Sequence, residues 1–222
     1  MIDIRGLSLS LAALLGLAAP RSGATQQLAT PPDWRWRLDH PARLVTGQDV
    51  PDSAWRFVAM PPGWHVTTGP GVVLYHPAEH ASGRYSLAAS FVLFPGPSES
   101  GFGLVLGGAD LESGGADHIT VDLRRDGALR VTAQASGQEH VLAPWRLHPA
   151  IRPQSGSDVV TNRLRVAVAP DSLRVFVNDS SVVAVAATGL GTDGQFGLRI
   201  GAGLNMHITT LDHIRHLAPG RR

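Results

Sequence analysis

The side chains able to do chemistry are scattered along this sequence, and each group meets an obstacle. Hydrolysis of a glycosidic bond needs two carboxylates facing one sugar, and a strand supplies them when acids alternate along it. The nearest approach is Asp110-Leu111-Glu112, with Asp117 beyond Gly114-Gly115. Those glycines make the segment a loop rather than a strand face. The same acids, Asp110, Glu112 and Asp117, could join backbone carbonyls as hard oxygen ligands for calcium. A solvated acidic turn is the plainer account of so loose a spacing. His76-Pro77-Ala78-Glu79-His80 matches the H-x-x-E-H zinc-peptidase pattern. That chemistry needs a helix to set both imidazoles on one face, and the flanks here are a strand-like Val72-Val73-Leu74-Tyr75 and a Ser82-Gly83 turn. We read it as a chance match. His207 and His213 share a parity and would face one side of a regular strand, while His216 breaks the pattern. No G-x-S-x-G elbow occurs, no phosphate loop can form without lysine, and no cysteine exists to act as nucleophile or ligand.

The aromatic residues are the better candidates for binding. Exposed Trp and Tyr rings offer flat faces on which a sugar ring can stack. Trp34, Trp36, Trp64, Tyr75 and Trp145 are candidate platforms. Trp145 is the first choice, because Pro144 and Pro149 would stiffen its loop. Arg146 and His148 beside it could hydrogen-bond hydroxyls. Trp64 and Tyr75 complete the expected binding set. The alternative for Trp64 and Trp145 is that they anchor the core or its rim, with Trp145 plugging one end of the fold.

The elements that must position these residues are strands. From Gly63 onward the apolar period is mostly two. Tyr85, Leu87, Ala89, Phe91 and Leu93 alternate, as do Ile119, Val121 and Leu123. Phe102 to Leu106 is apolar throughout, which predicts a strand buried on both sides or lying beside a close-packed backbone. Asp126-Gly127, Pro170-Asp171 and Asn178-Asp179 read as hairpin turns. Further strands are expected at 164–168, 173–177, 182–187, 196–200 and 206–214. Trp34 to Pro62 predicts short strands or irregular wrapping, and Trp145 to Ile151 one short turn of helix at most. No segment carries a sustained helical period. Many short strands with regular turns predict an all-β, two-sheet antiparallel sandwich. Its core should include Phe102, Leu104, Leu106, Val166, Val175, Val177, Phe196 and Leu198.

Composition sets the outer bounds. The chain has 222 residues and a formal net charge of +1. That length suits one large β domain. The near-neutral charge gives no support to a nucleic-acid partner, which needs a basic face. Leu7 to Ala19 is an apolar run of signal-peptide length, shorter than the ~20 residues that span a bilayer. Ser22-Gly23-Ala24 then sets small residues before a cut at Ala24, although Asp3 offsets Arg5 in the leading segment. We therefore expect a signal peptide over residues 1–24, a linker and wrapping segment over 25–54, the sandwich over 55–217 and a tail over 218–222. The mature chain should carry no membrane-inserted segment.

Gly101-Phe102-Gly103-Leu104-Val105-Leu106-Gly107-Gly108, then Leu173-Arg174-Val175-Phe176-Val177-Asn178, then Gly194-Gln195-Phe196-Gly197-Leu198-Arg199 follow in a telling order. The order resembles the concanavalin A-like lectin/glucanase superfamily, especially laminin G-like domains and the bacterial 3-keto-disaccharide hydrolase domain type. Asp179 stands where those families usually have glycine. The resemblance implies a jelly-roll sandwich and a sugar-related role. The superfamily's glucanases carry Glu-x-Asp-x-Glu or a close variant on one strand, and this chain has no such run. The sequence reading is thus an exported, non-catalytic domain, in the periplasm or outside the cell, that binds a glycan or another surface polymer. No cofactor is implied beyond the calcium candidate. An enzyme of the 3-keto-glycoside class and a protein-binding envelope module are the alternatives.

Overall fold

The computed structural model describes residues 28–216. The apolar run at Leu7 and the Ser22-Gly23-Ala24 segment lie outside the described residues, as does the tail. Fifteen strands make up the described chain. The first five are β1 (Arg35–Leu38), β2 (Arg43–Leu44), β3 (Ala54–Ala59), β4 (Trp64–Thr68) and β5 (Val72–Ala81). Next come β6 (Tyr85–Leu93), β7 (Phe102–Gly108), β8 (His118–Leu123), β9 (Ala128–Ala135) and β10 (Gln138–Leu147). The last are β11 (Val160–Val168), β12 (Ser172–Val177), β13 (Ser180–Ala186), β14 (Gly194–Ile200) and β15 (Asn205–Arg215). Among the described residues there is no helix.

The strands form two sheets. One has seven strands in the order β1-β5-β14-β7-β8-β9-β10, and the other has eight in the order β13-β12-β11-β6-β15-β4-β3-β2. Pairing is antiparallel except for the short β2 beside β3. The two sheets pack face to face because alternate residues of each are apolar. Phe57, Leu87, Phe91 and Met206 from one sheet meet Leu74, Phe102, Leu104 and Leu198 from the other in a single cluster. Phe91 and Phe102 touch across the layer, ring centroids 5.4 Å apart. All eight residues expected in the core are buried. The segment expected to wrap contributes an edge strand to each sheet, β1 to one and β2 to the other.

Two features differ from the sequence reading. Trp145 lies in a strand, not in a loop or a turn of helix, because β10 continues to Leu147 before the chain turns at His148. That strand is exposed along most of its length and carries Pro144, so it lacked the apolar alternation that marked the others. A proline fits there because β10 is an edge strand with one row of unpaired backbone groups. The other difference concerns the histidines of β15. A bulge between Ile208 and Thr210 reverses the parity of the strand. His207 therefore faces outward toward Pro62, while His213 turns inward between Tyr85 and Phe196.

Asn178 and Asp179 form the two-residue turn between β12 and β13, with φ of 49° and 65°. Both signs positive mark the hairpin turn that suits twisted strands and favours glycine at its second position. Asp179 forms an ion pair with Arg163 at 3.6 Å, but it is solvent-exposed and contributes little. Asp179→Gly is expected to raise unfolding free energy by about 0.5–1 kcal/mol, by removing the cost of a side chain in the left-handed region. Urea unfolding checks this, and a loss of stability would show that the ion pair outweighs the backbone.

Candidate functional site

The outer face of the seven-stranded sheet carries a lateral row of side chains set by register. Arg37 of β1 lies beside Val73 of β5, and Val73 beside Arg199 of β14. Arg199 lies beside Gly103 of β7, Gly103 beside Asp122 of β8, and Asp122 beside Arg130 of β9. Strand alternation puts all six outward, since Leu104, Val121, Leu123, Leu129, Val131 and Leu198 point into the core. One rung along, Thr120 and Thr132 stand side by side. Gly103 leaves the middle of the row open. A Cβ there would lie 1.9 Å from the Val121 carbonyl oxygen, so no larger residue fits. The result is a groove of about 240 Å³ with polar walls.

Charge in the groove is only partly satisfied from within. Arg199 donates to both oxygens of Asp39, at 2.9 and 2.5 Å. Arg130 lies 3.2 Å from Glu139 and 3.9 Å from Asp122. Arg37 donates from Nη1 to the carbonyls of Ser113 and Gly114, both at 3.1 Å. Three buried polar atoms have no partner among the described residues: Nε of Arg37, Nε of Arg130 and Oδ1 of Asp122. Burial pushes the Asp122 carboxyl up to about 6, against the opposing pull of Arg199 and Arg130. His118 donates from Nδ1 to the Ala116 carbonyl at 2.6 Å. Burial lowers its pKa and the nearby guanidiniums of Arg37 and Arg199 add to that effect. The ring is thus held neutral, with Nε2 as an acceptor. A shallow cleft with perturbed, unpartnered groups is what a functional site looks like physically.

Trp145 borders this groove at the β10 edge. Its ring lies 4.8 Å from the Arg124 guanidinium and 5.1 Å from that of Arg130, and it is half-buried. Those are cation–π distances, so the indole is braced in place. It sits on the sheet face rather than at the end of the sandwich. Arg146 and His148 do not join it. Alternation turns Arg146 to the opposite side of the strand, where it lines a separate cleft with His148 and Val182.

The remaining sequence candidates disperse. Tyr75 faces the same side as the groove but is buried under Leu111, in a small cluster with Val73 and Val105. It therefore offers no exposed ring. Burial and the nearby Glu112 and Asp110 raise its phenol pKa. Trp64 packs edge-on against Trp34, centroids 4.9 Å apart, in a different cleft from the groove. Asp117 turns away from Asp110 and Glu112, with Oδ1 accepting from the Ser136 N–H at 2.7 Å. Among the described residues, no three acidic, histidine or cysteine side chains gather where they could hold a metal ion. Asp117 is thus not gathered with Asp110 and Glu112 into one cluster. His76 to His80 lie in β5, which excludes the helical geometry that the zinc motif needs. Sequence reasoning missed Arg37, His118, Asp122, Arg130 and Arg199. The available signal was polar side chains at alternate positions inside otherwise apolar strands, as in His118, Thr120 and Asp122.

No protein-family model matches the chain, and no curated protein sequence matches it. Solved structures do. The carbohydrate binding module CBM66 from Bacillus subtilis superposes with a TM-score of 0.57 at 13% identity, over 79% of this chain and 100% of that one. The fold is a concanavalin A-like jelly-roll sandwich. A second Bacillus subtilis protein, of unknown function with a galectin-like fold, gives 0.57 at 13% identity over 82% and 89% of the two chains. The exoplasmic/lumenal domain of VIP36, in its Ca2+/Man-bound form, gives 0.59 at 11% identity over 86% of each.

Proposed function

We propose that the protein is an exported, non-catalytic glycan-binding domain that holds a sugar chain in the groove on its seven-stranded sheet. The observation that carries this reading is the row Arg37, Arg199, Asp122, Arg130, with buried polar atoms that nothing in the described chain satisfies. A sugar presents adjacent hydroxyls, each both donor and acceptor. Guanidinium N–H groups meet their oxygens, while Asp122 Oδ1 and His118 Nε2 accept their protons. Trp145 offers a braced apolar wall for the C–H face of a ring. The likeness to a carbohydrate binding module and to a mannose-bound lumenal domain supports the same reading. Export rests on the apolar run from Leu7 and the small residues before Thr25.

The test uses the secreted chain, whose mass should show an N-terminus at Thr25. Glycan-array screening and affinity electrophoresis should retain it on at least one polysaccharide, with chelator making no difference. Trp145→Ala is expected to weaken retention about tenfold or more, on the scale of 1–2 kcal/mol for a lost aromatic contact, while melting near the wild type. Retention by no glycan, or an unchanged Trp145→Ala variant, would remove this reading. An N-terminus at Met1 would remove export alone.

A further inference from the structure

Two buried arginines in this protein differ in one respect. Arg125 is 9% exposed, and its guanidinium is fully engaged. Its Nε donates to the Ser98 carbonyl at 3.0 Å, Nη1 and Nη2 donate to that of Phe94, and Nη1 also reaches Gln154. Arg56 of β3 is 6% exposed, and its Nε is buried with no acceptor. Neither a hydrogen bond nor an ion pair engages its guanidinium among the described residues. Its neighbours Trp55 and Phe57 fill the core, so alternation sends Arg56 to the outer face of the eight-stranded sheet. A guanidinium cannot shed its proton at any ordinary pH, so the charge persists and requires a counter-charge.

The surroundings are built to receive one. Arg56 lies beside Thr67, and Thr67 beside Asn205, in one lateral row. His65 follows one rung along. These residues, with Gln48 and Phe94, line a cleft of about 420 Å³ to which no carboxylate among the described residues contributes. The Thr67 hydroxyl donates to Oδ1 of Asn205 at 3.3 Å, which leaves the Asn205 amide protons for a ligand. Burial lowers the pKa of His65, and the charge of Arg56 lowers it further. The cleft thus has one fixed positive charge, several neutral donors and no internal anion.

We propose that this cleft is an oxyanion site, separate from the sugar groove, that takes a carboxylate or a sulfate group through the Arg56 guanidinium and the Asn205 amide, with Thr67 holding the Asn205 amide in place. The planar fork of the guanidinium suits either group. The site stands on the opposite sheet and does not depend on the groove's function.

The test compares sodium sulfate, sodium glucuronate and sodium chloride at matched ionic strength. Melting temperature should rise by roughly 5–10 °C in sulfate or glucuronate at a hundredfold excess over the dissociation constant. The His65 pKa, followed by its ring proton signals, should rise at the same time, since a bound anion offsets the charge of Arg56. The anion with the larger response identifies the source as an inorganic or ester sulfate or as an acidic sugar. Arg56→Met should abolish both responses. If that variant does not fold, Asn205→Asp serves instead. It sets a carboxylate in the same cleft, across Thr67 from Arg56, and should melt above the wild type in chloride and lose the response to added anion. Equal behaviour in all three salts, a response retained by Arg56→Met, or an Asn205→Asp variant that still responds would overturn the proposal.

Discussion

Phe102→Ala is expected to lower the unfolding free energy by about 3–5 kcal/mol. The ring is 2% exposed, in the strand at the centre of the seven-stranded sheet, and faces Phe91 of the opposite sheet. Truncation removes both the transfer free energy of the ring and its contacts across the layer. The hole cannot close readily, because β7 is paired to β14 on one side and β8 on the other. For a domain of this size the melting temperature should fall by roughly 6–20 °C. Urea and thermal unfolding both measure it. A change below about 1 kcal/mol would mean that the two sheets are not held together at this point. Because the Phe91 and Phe102 centroids are 5.4 Å apart, the double alanine variant should not be additive.

Asp122→Asn is expected to stabilise the protein at pH 7.5, on the order of 2–3 kcal/mol, and to give no such gain at pH 3. The carboxyl titrates at about 6 in the fold, against 3.8 for the unperturbed group. A raised carboxyl pKa means that folding disfavours the ionised form. Below the unfolded value both states hold the proton, so nothing is lost. As pH rises through 3.8 the unfolded chain ionises while the fold retains its proton, and stability falls. The loss is complete above about 6. An amide removes that penalty, and Arg199 and Arg130 still keep Asp39 and Glu139 as partners. The same variant should bind glycan more weakly, since a charged acceptor is replaced by a weaker neutral one and the new amide N–H2 opposes either the ligand or Arg130. Stability curves for both proteins from pH 3 to 8 decide the matter. A gain of equal size at both ends, or a loss at pH 7.5, would show that burial of the Asp122 charge is not what the groove maintains.

These two residues also mark how far the sequence could be read. Phe102 was legible because alternation is local: successive side chains of a strand point to opposite faces whatever lies beside it. Period two and the turn pairs thus gave the strands, the sandwich and the buried set, including Val175 and Leu198. Asp122 was visible only as a carboxylate among apolar neighbours. Of the binding residues named from the sequence, Trp145 alone borders the groove. Its neighbours in the chain, Arg146 and His148, were grouped with it by proximity, which strand alternation separates. The parity of His207 and His213 failed for a related reason, since a one-residue bulge reverses every face beyond it.

The sequence by itself determined which residues enter the core and which remain outside, because that choice follows from the backbone's own two-residue repeat. Only the tertiary structure decided which outward residues meet. Arg37 and Arg199 are far apart in the chain, and Gly103, Asp122 and Arg130 come from three further strands. Strand order and register place them in one row. Register depends on ladders formed between distant segments, and a shift of one residue would have exposed a different set. The unpaired charge of Arg56 is of the same kind. Its outward direction follows from Trp55 and Phe57, but its lack of a counter-ion among the described residues depends on what every other described element brings to that face.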